Sequence, residues 1–586
     1  MDIHDLARGR ILVLRFSGLL LFALVLLAGR LGYLHLSLNE QARAEVLAAT
    51  LRTRVVPAQR GQIFDRHGRA LASNEQALRV DVWPPKLTGV TRTPGERVKH
   101  ARRIADLLAP AVSASPDALI QNLMGDKNRT LGLPVSDPDT QQWIRAGLGD
   151  EFKGLDVHEV SVRRYPWGST AGNLIGFLDS AGKGASGLER GLEVWLEGSD
   201  GERNVRVDHR GLEQVDPRLP VQAPFHGLDV TLTLDVKVQQ LVEQELLELM
   251  NSQEAERAVG VVLDARNGDL LALASVPRLD PDRRGSITTA GMRLGSVQDQ
   301  YNPGSSFKPL MMAAALDLGL AHTSDPPIDC SKFEYWSKVR DSHPQDHALD
   351  LAEILVHSSN IGMATIMTRI TPEDRPRDAA AMAPLYQYLV NLGLGTDTGL
   401  PLFGEAQGHF DPLEKWHRRY HVAQIARGQA ITLSTVQFAA AINALTDGQY
   451  RPPRLVASVS NGVDGEFEEF PHALPTPVFH PDTAETVRGW MQRVVEEGAC
   501  QEMKSLGLAV AGKTGTARLE DDLESGDEMH SYVAMVPAND PVVTLVLSVR
   551  RPRNARYASQ SAAPAMGRLI RSLAPYLGLT LKGTRG

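Results

Sequence analysis

Cysteine is almost missing from this chain: Cys330 and Cys500 are the only two among 586 residues. That scarcity excludes a disulfide scaffold, and two thiols so far apart in sequence are expected to stay separate. It also leaves no zinc spacing. His343, Asp346 and His347, near Cys330, read as a polar loop, and neither a metal nor another cofactor is expected. Basic charge is not in excess either. Lys and Arg number 62 against 70 Asp and Glu, a net charge of −8, which excludes a broad basic surface for nucleic acid. Aromatic residues are only 5% of the chain, while the 42% hydrophobic content is ordinary for a globular protein long enough for two domains and an anchor.

An uncharged run stands near the start. FSGLLLFALVLLAG, Phe16 to Gly29, carries no charge, and apolar character resumes after Arg30 through LGYLHLSL. Extended in this way the stretch reaches the ~20 residues of a membrane span, with Arg30 and His35 at the outer interface. Arg8, Arg10 and Arg15 precede it, which keeps the N-terminus in the cytoplasm and exports the rest. A cleaved signal peptide is the competing reading, but no A-x-A site follows the run directly, and Ala42-Arg43-Ala44 is far downstream. The expected organisation is a cytoplasmic tail over 1–15, a transmembrane anchor over 16–37, a mixed first module over 38–222, a catalytic domain over 228–577 and a tail over 578–586. The proline-containing stretch Val215 to Gly227 reads as the linker.

Three short motifs follow in order: Ser305-Ser306-Phe307-Lys308, Ser358-Ser359-Asn360 and Lys513-Thr514-Gly515. None is informative alone. An S-x-x-K arises by chance about once in a chain this long. Ser180 with Lys183 is such a decoy, as Ser37 with Asn39 is for S-x-N. Only the set beginning at Ser305 has a helix-like segment behind the serine, a second motif 53 residues on and a strand-like third.

Pro303-Gly304 makes a turn, and the apolar run behind it predicts a helix starting near Ser305, so that Ser305 and Lys308 share a face. A serine hydroxyl is a poor nucleophile until a base takes its proton, and a lysine serves as that base only when neutral. Burial and a neighbouring cation, here Lys513, both favour the neutral form. LDLAEILVHSSNIGMATIM predicts one helix entering the second motif and another leaving it. There the Ser358 hydroxyl is placed to relay a proton to a departing amine, and the Asn360 amide to orient a lysine or a substrate carbonyl. LAVAGKTGTAR predicts a half-buried edge strand. On it Lys513 and Thr514 offer charge and hydroxyl to a carboxylate, and Gly515 lets an extended substrate backbone lie close. The backbone N–H groups of Ser305 and Thr516 are the expected oxyanion hole. The set suits acyl transfer on a peptide that ends in a free carboxylate.

YNPGSSFKP, VRDSH followed by HSSNIGMA, VAGKTGTA and ARGQAITLSTVQFAAAINALTDG resemble the class B, monofunctional penicillin-binding proteins, over nearly the whole chain. Upstream, RGQIFDRHGRALASN (Arg60 to Asn74), RRYPWGSTAGNLIG (Arg163 to Gly176) and GASGLERGLEVWLEG (Gly184 to Gly198) resemble the three motifs of that class's non-catalytic pedestal or dimerisation module. Rich in Gly and Arg, these stretches suit turns and polar packing between lobes. The chain departs from the family at Asn173, where histidine is usual, and at Asn302, where an acidic residue is common. It departs also at Cys500, in a usually glycine-rich stretch, and at Val533-Ala534, where a glycine is frequent. These departures leave open a divergent paralogue.

The resemblance implies a peptidoglycan D,D-transpeptidase. Ser305 would be the nucleophile, Lys308 the general base and Ser358 the proton relay, with Asn360 and Lys513 completing the catalytic set and Thr514, Gly515 and Thr516 binding substrate. It further implies D-Ala-D-Ala stem peptides as donors, an amine of a second stem as acceptor, β-lactams as covalent inhibitors and an inner-membrane protein with a periplasmic catalytic domain. The short stretch between the first two motifs, the VRDSH segment and the length look most like the division-specific septal enzyme. Its partners would be a polytopic glycan polymerase and other division proteins. An elongation-type transpeptidase, a D,D-carboxypeptidase and a non-catalytic β-lactam-binding scaffold are the alternatives.

The expected fold is α+β: a penicillin-binding, serine β-lactamase-like domain with a mainly antiparallel sheet flanked by helices, preceded by a mixed α/β pedestal and one transmembrane helix. AVGVVLDARNGDLLALASVP predicts a hairpin turning at Asn267-Gly268, and SYVAMVPANDPVVTLVLSVR two further strands. LDVTLTLDVKVQQLVEQELLELM changes from strand alternation to helix periodicity. LEDDLESGDE, Leu519 to Glu528, reads as a solvated acidic loop; a sharper reading places it at the cleft mouth, where it disfavours anionic ligands.

Overall fold

A computed structural model of the chain describes residues 3–87, 93–147, 155–207, 213–214, 219, 221–283, 285, 287–333, 339–462, 467–498, 501–519 and 527–580. Contacts divide it into two compact units, 1–58 with 198–226 and 59–197 with 227–586. In the first unit Ile3–Thr50 is one helix. Within it Gly9–Ser37 has a mean hydropathy of 2.6, is long and apolar enough to cross a membrane, and has none of its most apolar window buried. Leu, Val and Phe side chains left open along such a length suit lipid and not water. The strand Leu51–Val56 pairs antiparallel with Gly201–Val207, and Glu213–Gln214 and Val221–Gln222 extend that sheet. Of the expected linker, residues 215–218 and 220 lie outside the described residues, while Val221–Gln222 is a short strand.

In the second unit Asp235 caps helix α1 (Val236–Ser252) by accepting from Lys237 N. Strands β1 (Arg257–Asp264) and β2 (Leu270–Val276) form the hairpin around Asn267-Gly268. A 3-10 turn, Gly304–Phe307, runs into α2 (Lys308–Asp317). Helices α3 (Leu351–Val356), α4 (Asn360–Met367), α5 (Thr435–Asn443) and α6 (Pro481–Glu497) follow. Then come β3 (Ala511–Arg518), β4 (Glu528–Val536), β5 (Val543–Arg550) and α7 (Ala562–Tyr576). The main sheet has the order β2-β1-β5-β4-β3 and every neighbour is antiparallel. β3, which carries the third motif, is its edge.

Both faces of this sheet are covered. Val242 and Leu246 of α1 and Leu569, Ile570 and Leu573 of α7 pack with Ala258, Val262 and Leu547. On the opposite side Phe438 and Ile442 of α5 and Phe307 and Leu310 pack with Val261, Val533 and Val546. Burial on two faces explains why β1, β2 and β5 read as largely apolar runs, and each enclosed Leu, Val or Phe contributes roughly 1.5–3 kcal/mol. The turn bearing Ser305 thus stands on a packed core.

A second sheet joins the early residues to this core. Its strands are, in order, Phe467–Glu469, Val456–Ser460, Asp229–Leu232, Ile63–Phe64, Ala70–Val82 and Arg129–Thr130, with Leu155–Arg164 also on Ala70–Val82. The parallel pairing of Ile63 with Val230 links the two stretches of sequence. The three upstream motifs meet beside it, at the fully buried Glu189. Arg60 Nε donates to Glu189 Oε2 at 2.8 Å, Arg163 Nε to Oε1 at 2.7 Å and the Tyr165 hydroxyl to Oε1 at 3.2 Å. Arg60 Nη2 also donates to Glu193 Oε2 at 2.6 Å. The polar packing read from these motifs is this network. Asn173 binds across as well, donating to Pro277 O and Gly291 O and accepting from Leu279 N. Cys330 is a free, buried thiol, whereas Cys500 lies outside the described residues.

Candidate active site

Gly304 opens the 3-10 turn at φ +58°, where a Cβ would stand 2.9 Å from Thr516 O. Only glycine takes that conformation that close to β3 without strain. The turn leaves Ser305 half-buried and Lys308, one turn later, with no exposed surface. Lys308 Nζ lies 2.5 Å from Ser358 O, 2.9 Å from Asn360 Oδ1 and 3.2 Å from Ser358 Oγ. Burial above all, then the charges of Lys513 and Arg427, hold the Lys308 pKa well below that of a free lysine, while Asp341 pulls the other way. A neutral amine keeps two N–H donors and one lone pair. Ser358 O and Asn360 Oδ1 can only accept, so the lone pair is left for a hydroxyl.

The second motif sits where one helix ends and the next begins, as its sequence implies. Ser358 has φ +56°, costly for a side chain with a Cβ, and this brings both its carbonyl and its hydroxyl to Lys308. Ser359 caps α4 by accepting from Gly362 N at 2.9 Å. The Asn360 amide is held the right way round, since its Nδ2 donates to Arg340 O at 2.8 Å and its Oδ1 faces Lys308.

From β3, the enclosed Lys513 Nζ donates to Ser358 Oγ at 3.1 Å and to Thr514 O at 3.3 Å. Ser358 Oγ is therefore shared by the two lysines. Burial lowers the Lys513 pKa to about 8. The space beside Gly515 is not left for substrate, the reason first inferred for that glycine. A Cβ there would meet Pro303 O, Ser306 Oγ and Ser531 Oγ, each at 2.5 Å, so the glycine is needed for the serine-bearing turn to seat on the sheet. Thr514 and Thr516 are half-buried and open on a cavity of about 670 Å³ that also receives Ser305, Ser358 and Asn360.

Other residues of the site carry no signal in the three motifs. Asp341 of VRDSH accepts from Ser359 Oγ at 2.7 Å and from the backbone N–H of Asn360 and Ile361, so it fixes the whole second motif. Gly428 O accepts from Gly304 N at 3.0 Å, and Arg427 beside it lines the cavity. Ala558 N donates to Thr516 Oγ1 at 3.2 Å, which leaves that hydroxyl proton free to point outward. His343 of the polar loop stands in the cavity wall with its ring 6.4 Å from that of Tyr557. Only VRDSH and the ARGQ stretch gave a local hint of these positions. The acidic segment after β3 falls at residues 520–526, outside the described residues.

A serine one turn from an enclosed lysine, on a helix-flanked antiparallel sheet whose edge strand faces the serine, defines a penicillin-binding serine enzyme. The sequence matches the penicillin binding protein transpeptidase domain over residues 258–571 and the penicillin-binding protein dimerisation domain over 55–232. The chain belongs to the penicillin-binding protein transpeptidase family, with the class B order of dimerisation then transpeptidase domain. The probable peptidoglycan D,D-transpeptidase PenA of Neisseria meningitidis is 29% identical over 550 residues, covering 90% of this chain and 86% of its own length. Peptidoglycan D,D-transpeptidase FtsI of Escherichia coli is 27% identical over 568 residues, covering 94% and 90%. The crystal structure of a peptidoglycan synthetase from Bifidobacterium adolescentis matches with a TM-score of 0.69 at 24% identity, over 92% of this chain and 98% of that one.

Proposed function

We propose that this chain is a peptidoglycan D,D-transpeptidase of the inner membrane that cross-links stem peptides through a Ser305 acyl-enzyme during septal wall synthesis. The enclosed Lys308 Nζ carries the reading, because it is within hydrogen-bond reach of Ser358 and Asn360 and one turn from a serine that opens on a cavity. Neutral Lys308 takes the Ser305 proton as Oγ bonds to the penultimate D-Ala carbonyl carbon. The backbone N–H groups of Ser305 and Thr516 receive the oxyanion. Lys513, Thr514 and Thr516 hold the terminal carboxylate along the free edge of β3, with Gly515 seating the strand on the serine turn. As the peptide C–N bond breaks, Ser358 passes the proton to the departing D-Ala. The amine of a second stem then displaces Ser305, and β-lactams acylate the same serine because they mimic the D-Ala-D-Ala end.

In this reading residues 228–577 are the transpeptidase domain and 38–222 the pedestal. The apolar helix supports a single-pass anchor, with the early arginines on the cytoplasmic side and the catalytic domain in the periplasm. VRDSH and the similarity to the Escherichia coli protein support the septal role, with a polytopic glycan polymerase and other division proteins as partners. A fluorescent penicillin should label the full chain stably, and Ser305→Ala should abolish the label. Rapid loss of the label, or labelling that survives the substitution, overturns the transpeptidase reading. A fluorescent fusion is expected at the septum; uniform side-wall signal overturns that part.

A further inference from the structure

Beside the catalytic cavity lies a second cleft, of about 800 Å³, and the two share Asn302 and Arg518 in their walls. Its chemistry is ionic. Arg257, only 8% exposed, donates from Nη1 to Asp299 Oδ2 at 2.6 Å, and Arg293 Nε donates to Asp299 Oδ1, so one carboxylate serves two guanidinium groups. Arg257 Nε is enclosed in the same wall without a hydrogen-bond partner among the described residues. Arg518, the last residue of β3, is exposed and makes no ion pair among the described residues. The acids of the cleft are already engaged: Glu256 with Arg551 at 2.6 Å and Arg550 at 3.5 Å, and Glu405 as acceptor from Thr398 N at 2.9 Å. The cleft thus offers guanidinium donors beyond those its carboxylates satisfy, and a planar fork of N–H donors fits a carboxylate better than any other ligand group.

A transpeptidase binds two peptides, and the donor occupies the cavity along β3. The incoming amine must reach the Ser305 ester from a direction that the acyl chain leaves open. The second cleft meets the first at Asn302, three residues before Ser305, and at the end of β3. We propose that this cleft docks the acceptor stem peptide, holding one of its free carboxylates on Arg518 and Arg293 and directing its amine at the Ser305 ester. This rests on the transpeptidase reading and adds to it the place of the second substrate. In the step itself the amine nitrogen bonds to the acyl carbon and the bond from that carbon to Ser305 Oγ breaks. The displaced proton passes from nitrogen to Ser305 Oγ by way of Lys308.

The test uses the full-length protein, a D-Ala-D-Ala pentapeptide donor and two acceptors that share the lysine side-chain amine, Nα-acetyl-lysyl-D-alanine and its C-terminal amide. Charge-assisted binding should make aminolysis by the acid exceed that by the amide by about tenfold or more. In Arg518→Gln and Arg293→Gln that preference should fall towards unity, measured against penicillin acylation in the same preparation, while Arg518→Lys keeps part of it. Equal use of the two acceptors by the wild type overturns the proposal. So do variants that retain the preference, and variants in which acylation falls in proportion to aminolysis. A wild type that forms the acyl-enzyme but only hydrolyses it, whichever amine is present, overturns the transpeptidase reading itself.

Discussion

Lys308 and Lys513 are both enclosed, and an ammonium taken out of water gives up its proton more readily than a solvated one. The two must end in opposite states for acylation: Lys308 neutral to receive the serine proton, Lys513 charged to hold a carboxylate. As pH rises, acylation should first increase while Lys308 deprotonates, and then decline as the pH passes about 8 and Lys513 loses its charge. The second-order rate of penicillin acylation followed against pH checks this, and a profile with no alkaline decline contradicts it. Asp341 acts one step back from the chemistry. Asp341→Ala leaves the Ser359 hydroxyl and two N–H groups at the start of α4 without their acceptor, a loss of about 2 kcal/mol in stability. Because the same carboxylate aims Ser358 and Asn360, penicillin acylation should drop by more than about tenfold, since ~1.4 kcal/mol of misplacement suffices for that. Thermal melting and labelling of the folded protein read the two effects separately, and unchanged labelling would show that Asp341 serves the fold alone.

At the scale of elements, the site is a turn pressed onto an edge strand. Gly515→Ala puts a methyl group where Pro303 O, Ser306 Oγ and Ser531 Oγ already stand, and two of these belong to the turn that carries Ser305. Relief requires the turn and β3 to part, at a cost of about 1–3 kcal/mol. The expected result is lower melting temperature together with acylation reduced by tenfold or more, roughly the effect of a small displacement of an attacking group. Acylation at the wild-type rate would mean that the turn tolerates the shift. This strand also marks where sequence stops being legible. The hairpin at Asn267-Gly268, the break at Ser358 and the strand around Lys513 were readable because each is set by neighbours a few residues away. What requires Gly515 is not legible locally, because the atoms a Cβ would meet there come from Pro303, Ser306 and Ser531. VRDSH marks the stretch that holds Asp341, but neither its bond to Ser359 nor that of Ala558 to Thr516 follows from a local pattern, since each partner is distant in sequence.

At the scale of the molecule, the upstream motifs and the catalytic motifs belong to one compact unit, and Glu189 is where the former are tied together. Its two arginine partners are nearly enclosed, with side-chain exposures of 9% for Arg60 and 6% for Arg163. Arg60 keeps Glu193, but Arg163 has no other carboxylate partner among the described residues, and removing Glu189 leaves its charge where water cannot reach. Glu189→Gln should therefore cost about 3–5 kcal/mol, the range for breaking a buried ion pair from one side. None of these residues lines the catalytic cavity, so the network supports the chain around the site without entering it. The expected outcome is a clear drop in the midpoint of denaturant unfolding with an unchanged slope. The rate constant for penicillin acylation, measured well below that midpoint, should match the wild type. A variant that stays folded yet acylates slowly would mean that the upstream module sets the geometry of Ser305 and not only the stability of the sheet beneath it.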